Sequence, residues 1–303
     1  MNLSIDNQDL PKLFNIADSA SKRSQNYHVW FSGFVLALSF FAAVASSYAG
    51  QNTLIKNILA WASLIIFILS FFITLYLDRA KFEWSWYNGR AIAESVKTKS
   101  WRFMMHSDPY LCDLNIASAS TAFKNDIQKI ISAHQGFAKI IRSNDPEENL
   151  ITPRMIEIRN LNFEDRKNIY LNERVINQKK WYYAKADFNN SRAGSWYFVI
   201  LAMQFTGVIF SIVGILNQNM EFNILSLIAA LISASIAWLQ IKRHQDLANS
   251  YAVAGEELSR IQLEVDSIDE ASFPIFVSNT ENAISREHTL WIAKRDPVNQ
   301  GAN

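Results

Sequence analysis

Apolar side chains follow two patterns along this chain. Four stretches are apolar on every side: Val29–Ala49, Ile58–Leu77, Trp196–Leu216 and Phe222–Ile241, built mainly of Leu, Ile, Phe, Val, Ala and Ser, without one charged residue. A helix rising ~1.5 Å per residue needs ~20 such residues to cross a ~30 Å hydrocarbon core. Inside lipid it must also satisfy every backbone amide within the segment. The pattern therefore predicts four transmembrane helices. Short connections over 50–57 and 217–221 make spans one and two, and then three and four, antiparallel hairpins.

Elsewhere the apolar positions recur at heptad spacing. Leu247, Tyr251, Ala254, Leu258, Ile261, Val265 and Ile268 form one seam. No proline lies between Phe222 and Ile268, so span four is expected to continue into the cytosol as one helix of ~70 Å. Such a seam needs a partner helix, from the same chain or from an oligomer mate. A second seam runs through Ile116, Phe123, Ile127, Ile130, His134, Phe137 and Ile141. Breaks are expected at Asp108-Pro109, Asn144-Asp145-Pro146 and Thr152-Pro153, since proline disfavours helix in the residue before it. Further helices are predicted over 163–189, feeding span three, and over 279–294. The fold class is thus an all-α membrane protein: four transmembrane helices as two hairpins, with long helices extending into a helical cytoplasmic bundle. It divides at 1–28, 29–77, 78–195, 196–241 and 242–303.

Charge sets the orientation. Lys22 and Arg23 precede span one, Arg79 and Lys81 follow span two, Lys185 and Arg192 precede span three, and Lys242 and Arg243 follow span four, whereas the hairpin loops offer Lys56 and Glu221. The positive-inside rule then puts both loops outside, and the termini and middle segment in the cytoplasm, with the bacterial inner membrane as the site implied by the resemblance given below. Trp30, Tyr48, Tyr76, Trp196 and Trp238 stand near span ends, at headgroup level. The formal net charge of +1 argues against a nucleic-acid footprint. The single cysteine, Cys112, has no partner for an internal disulfide and suits a reducing compartment. Charged residues 1–26 precede an apolar run too long for a signal-peptide core, so no cleavage is expected.

Catalytic chemistry is not expected. The five histidines lack a ligand spacing, no glycine-rich phosphate loop or nucleophile elbow occurs, and no cofactor or metal is implied. Absence of ionisable residues within the spans disfavours a proton relay or pump. What the spans do carry is mild polarity at helical intervals: Ser32, Ser39 and Ser46, then Ser63, Ser70 and Thr74, then Gln204 and Ser211, then Ser226 and Ser233. These either let helices approach closely, aided by Ala230, Ala234 and Ala237, or line a water-filled pathway when several chains assemble.

The halves resemble each other. Trp30-Phe31 corresponds to Trp196-Tyr197 in one register, and Arg79 to Arg243 and Tyr87 to Tyr251 in another, which suggests either a duplication or two hairpins alike only because a bilayer makes all hairpins alike. Directly after the first hairpin, Trp84-Ser85-Trp86-Tyr87-Asn88-Gly89-Arg90-Ala91-Ile92-Ala93-Glu94-Ser95-Val96, followed by Trp101, resembles the aromatic, Arg-Ala-x-Ala-Glu stretch of the SLATT superfamily. The second half, from Asn189 through Tyr251 to the Glu281 and Trp291 region, is similar to a second SLATT unit, though without that string. The resemblance implies an effector of bacterial conflict systems, partnered by an enzyme that makes a nucleotide signal or a protein that senses one. On activation it would form a homo-oligomer and permeabilise the inner membrane. Arg90 and Glu94, one helical turn apart, form either a fixed ion pair or one that changes partner in gating. The other reading of the whole chain is a non-conducting membrane-anchored scaffold or sensor subunit that recruits a cytosolic partner.

Overall fold

The computed structural model describes residues 4–112, 114–134, 137, 150–216 and 222–293, with side chains through Ser285. Ten α-helices follow one another among these residues: α1 Lys12–Ser46, α2 Thr53–Ala80, α3 Phe82–Met104, α4 Ile116–Ala133, α5 Pro153–Arg159, α6 Phe163–Ile169, α7 Asn177–Leu216, α8 Ile224–Lys242, α9 His244–Glu264 and α10 Phe273–Ala293. No strand forms among the described residues. A lone bridge joins Tyr48 to Phe222.

The helix starts follow from local chemistry. Asn52, Asn115, Asn162 and Asn223 each accept a hydrogen bond from a backbone N–H in the first turn of α2, α4, α6 and α8, and Thr152 does the same for α5, whose first residue is proline. These side chains replace partners that the first turn of a helix lacks.

The chain folds into two compact units. Residues 25–82 and 187–247 make one, residues 1–24, 83–186 and 248–303 the other. In the first unit, α1, α2, α7 and α8 carry the four spans, and large apolar side chains stand outward: Trp61 is 66% exposed, Phe198 70% and Ile215 78%. Such a surface has no place in water but suits lipid. Within this unit Ser46 Oγ meets Ser63 Oγ at 3.2 Å, the Phe31 and Phe82 rings stack, and the Asn223 N–H donates to the Ser47 carbonyl at 2.9 Å.

The second unit has an apolar core in the usual sense. Leu13, Ile92, Val96, Phe103, Phe123, Met155, Ile158 and Val277 are fully or almost fully buried in it. The segment Trp84–Val96 supplies its inner face through Trp86, Gly89, Ile92, Ala93 and Val96. Gly89 lets α1 and α3 touch, since a Cβ there would stand 3.0 Å from the Ala17 carbonyl oxygen and 3.1 Å from Ser21 Cβ. Beside it, the Ser21 hydroxyl donates to the Trp86 carbonyl at 2.8 Å.

Five expectations need correction. Span four does not run on as one helix: α8 stops at Lys242, Arg243 turns left-handed (φ 50°), and α9 starts at His244. Lys81 makes the same turn (φ 46°) between α2 and α3, so Arg243 corresponds to Lys81 and not to Arg79. The 116–141 seam is not one helix, because His134 caps α4 in a non-helical conformation; Phe137 is nevertheless buried, and Ile141 lies outside the described residues. Finally, the helix feeding span three is interrupted by a π-helical segment, Tyr170–Ile176, and the helix expected over 279–294 begins earlier, at Phe273. The expected break at Asn144-Asp145-Pro146 lies outside the described residues.

Candidate functional site

The polar residues of the spans are spread over the membrane unit. Ser39, Ser46, Gln204, Ser211, Ser226 and Ser233 are exposed, Ser32 and Ser70 half-buried and Ser63 buried. Ser46 and Ser63 come together across the first hairpin. The Ser39, Thr74 and Ser211 hydroxyls donate to carbonyls one turn back in their own helices, at 3.0, 2.9 and 2.9 Å. That internal bond lets a hydroxyl face lipid at little cost.

In the other unit, the part of the α9 seam that follows Leu247 packs against the start of α7. Leu247 and Ile261 are half-buried, Tyr251, Ala254 and Leu258 buried; Val265, in a short 3-10 turn, is buried, and Ile268 ends that turn half-buried. Tyr251 lies 5.2 Å from the Trp181 ring and 6.0 Å from that of Tyr182. Lys179 donates to Gln262 at 2.6 Å and Tyr183 to Glu256 at 3.0 Å. Gly255 makes room for this: a Cβ there would meet the Tyr183 ring at 3.0 Å. The α9 seam thus finds its partner helix in the same chain.

Arg90 lies over the Trp181 ring at 6.0 Å, and Glu94 is within electrostatic reach of Lys97 and Arg174. Arg174 belongs to the site that the sequence reading missed. It sits on the π-helical segment, 1% exposed, and grips Glu281 of α10, itself fully buried, through Nε to Oε1 at 2.9 Å and Nη2 to Oε2 at 2.8 Å. The Tyr170 hydroxyl donates to Oε1 and the Thr98 hydroxyl to Oε2, both at 3.0 Å. Each carboxylate oxygen therefore receives two donors, and α3, the π segment and α10 are pinned at one point. A bidentate arginine pair is the geometry that best offsets the cost of burying both charges. A signal was present: Phe273, Phe276, Val277, Thr280 and Ile284 define an apolar face of α10, and Glu281 falls on it. A carboxylate on such a stripe demands a buried cation.

A second polar cluster closes the end of α3. Arg159 is 3% exposed; its guanidinium lies 4.8 Å from the Phe103 ring centroid and donates to the Phe103 carbonyl and, at 3.2 Å, to that of Leu111. These bonds satisfy a carbonyl that the helix end leaves open. His106 takes φ 56° here and bonds the Arg159 carbonyl through Nε2 at 2.9 Å, which makes Nε2 the protonated nitrogen. Burial, and then the cations Arg159 and Arg166, push the His106 pKa down to about 4. Burial and Arg166 lower that of Arg159 to about 10. No group of His, Cys, Asp and Glu among the described residues could hold a metal ion.

Comparison with known proteins divides the chain in two. A family model described as "SMODS and SLOG-associating 2TM effector domain 3" matches residues 11–167, and one described as "SMODS and SLOG-associating 2TM effector domain 1" matches residues 170–291. No curated protein and no solved structure matches the chain. The two matched regions interlock within the second unit, where Thr98 of the first region bonds Glu281 of the second.

Proposed function

Since the chain belongs to the SLATT family, with two SMODS and SLOG-associating 2TM effector domains in tandem on a multi-pass membrane protein, we propose that it acts by opening or disrupting the bacterial inner membrane when activated. The observation that carries this reading is the coincidence of each matched domain with one hairpin of two uncharged spans. Several chains would assemble, with termini in the cytoplasm, so that the Ser39, Ser226 and Ser233 faces meet around water. A single chain leaves these hydroxyls outward, so assembly is a requirement of the mechanism. A weakly polar lining passes ions without dedicated charges. The cytoplasmic unit would receive the signal from a nucleotide-signal enzyme or sensor protein, consistent with the partners named in the family description. Nothing in this action calls for catalysis.

The self-bonded hydroxyls of Ser39 and Ser211 favour a second reading, a membrane-anchored scaffold that conducts nothing. Membrane potential and dye uptake on induced expression separate the two. An effector pore depolarises the cells, and Ser39→Leu, Ser226→Leu and Ser233→Leu together abolish this at equal expression. Intact potential at high expression, with and without the candidate signal enzyme, would establish the scaffold instead.

A further inference from the structure

The membrane unit holds a groove of about 1070 Å³ between α1 and α8, larger than most small-molecule pockets, which span roughly 300–1,000 Å³. Its lining is graded. Gln25, Asn26 and Lys242 stand at one end, where span one begins and span four stops, and Trp30, Phe34 and Trp238 form the wall leading into the membrane. The Trp30 and Phe34 rings stack at 5.4 Å with 8° between their planes, giving a flat apolar face. Opposite it, Trp238 reaches α1 because position 33 is glycine: a Cβ there would stand 3.0 Å from the indole Cζ3.

The polar end bears one positive charge. Lys242 Nζ lies 5.4 Å from the Trp238 ring, and among the described residues no carboxylate pairs with it. An amphipathic occupant with an apolar tail and an anionic head matches this grading at both ends. Water along the aromatic wall would be unfavourable. Cation-bearing pockets between transmembrane helices at the membrane boundary are sites for acidic headgroups.

We propose that this groove binds an anionic phospholipid, its acyl chain along Trp30, Phe34 and Trp238 and its phosphate at Lys242, with the Gln25 and Asn26 amides alongside. The site does not depend on whether the assembled protein conducts, so its failure and the failure of the pore reading are separate results.

The test is native mass spectrometry of the full chain in detergent, titrated with phosphatidylglycerol or phosphatidylcholine. One lysine at a headgroup is worth about fivefold in affinity, so phosphatidylglycerol adducts should exceed phosphatidylcholine adducts by about that factor. Lys242→Gln should remove the preference while leaving phosphatidylcholine adducts and the melting temperature unchanged. Lys56→Gln, in the first turn of α2, should keep the preference. Gly33→Leu, which fills the groove, should reduce both adducts; where that variant fails to insert, Lys242→Gln decides. Equal binding of the two lipids, a preference that survives Lys242→Gln, or a lipid-free dimer holding the groove closed would each overturn the proposal.

Discussion

The two units solve opposite solvent problems with the same element. In the unit carrying the spans, apolar side chains such as Trp61 and Phe72 point outward, and the hydroxyls of Ser39, Thr74 and Ser211 bond to their own helices. In the other unit the apolar groups point inward, and the core includes full charges, Arg174 and Glu281, each matched by several partners. Lipid rewards exposed hydrocarbon and removes the drive to bury it, so the first unit depends on close contacts at glycine, serine and aromatic positions. Water supplies that drive in the second unit and leaves the risk elsewhere, in any buried charge that loses its partner. A polar substitution should therefore matter greatly in one unit and little in the other.

Breaking the buried pair gives the largest expected effect. Glu281→Leu leaves the Arg174 guanidinium without its carboxylate and should cost about 3–5 kcal/mol, read as a fall in the melting temperature of the detergent-solubilised protein. Adding Arg174→Met should restore most of that loss, because two apolar side chains of similar size suit the core. If the double variant melts no higher than the single, the cost lies in the π-helical geometry and not in an uncompensated charge.

His106 gives the next effect and supplies a sign. Its folded pKa, about 4, lies below the ordinary histidine value of 6.5, so the unfolded chain binds the proton more readily. Stability is then complete above pH 6.5 and falls as the pH drops from there toward 4, by roughly 3 kcal/mol in all. His106→Asn, which can keep a donor toward the Arg159 carbonyl, should flatten that part of the profile. A slope that persists would assign the proton uptake to another group. At the helix contact, Gly255→Leu should cost about 1–3 kcal/mol by forcing the Tyr183 ring away from α9.

How much of this was legible in the sequence depended on which force shaped each element. The four spans and their pairing into hairpins were readable because a bilayer imposes a length and forbids charge over it. On the α9 seam Tyr251, Ala254, Leu258 and Val265 are buried, yet its periodicity implied a continuous helix through Arg243. Apolar periodicity reports which face is covered, and a left-handed residue changes the helix axis without disturbing that pattern. Arg243 hid its break because the usual marker, glycine, was absent there. The site around Glu281 escaped for a different reason: its partners Thr98, Tyr170 and Arg174 are far away in sequence, and only the fold brings them together. Arg90 and Glu94 drew notice as neighbours on one helix; Arg90 also lies over the Trp181 ring, and Glu94 is within electrostatic reach of Lys97 and Arg174.

The smallest effect tests the membrane side of the contrast. Lys81 holds φ 46° at the C-cap of α2, a conformation that strains a side chain with a Cβ and costs glycine nothing. Lys81→Gly should therefore stabilise the protein by about 0.5–1 kcal/mol even though it removes a positive charge at the membrane boundary. Ser39→Ala should change stability by less than about 0.5 kcal/mol, since its hydroxyl bonds the Val35 carbonyl of its own helix. Both are read as melting temperatures under the conditions used for Glu281→Leu. A loss at Ser39 comparable to that at Glu281 would mean that its hydroxyl bridges to another helix or another chain, and the two units would then share one rule for polar groups.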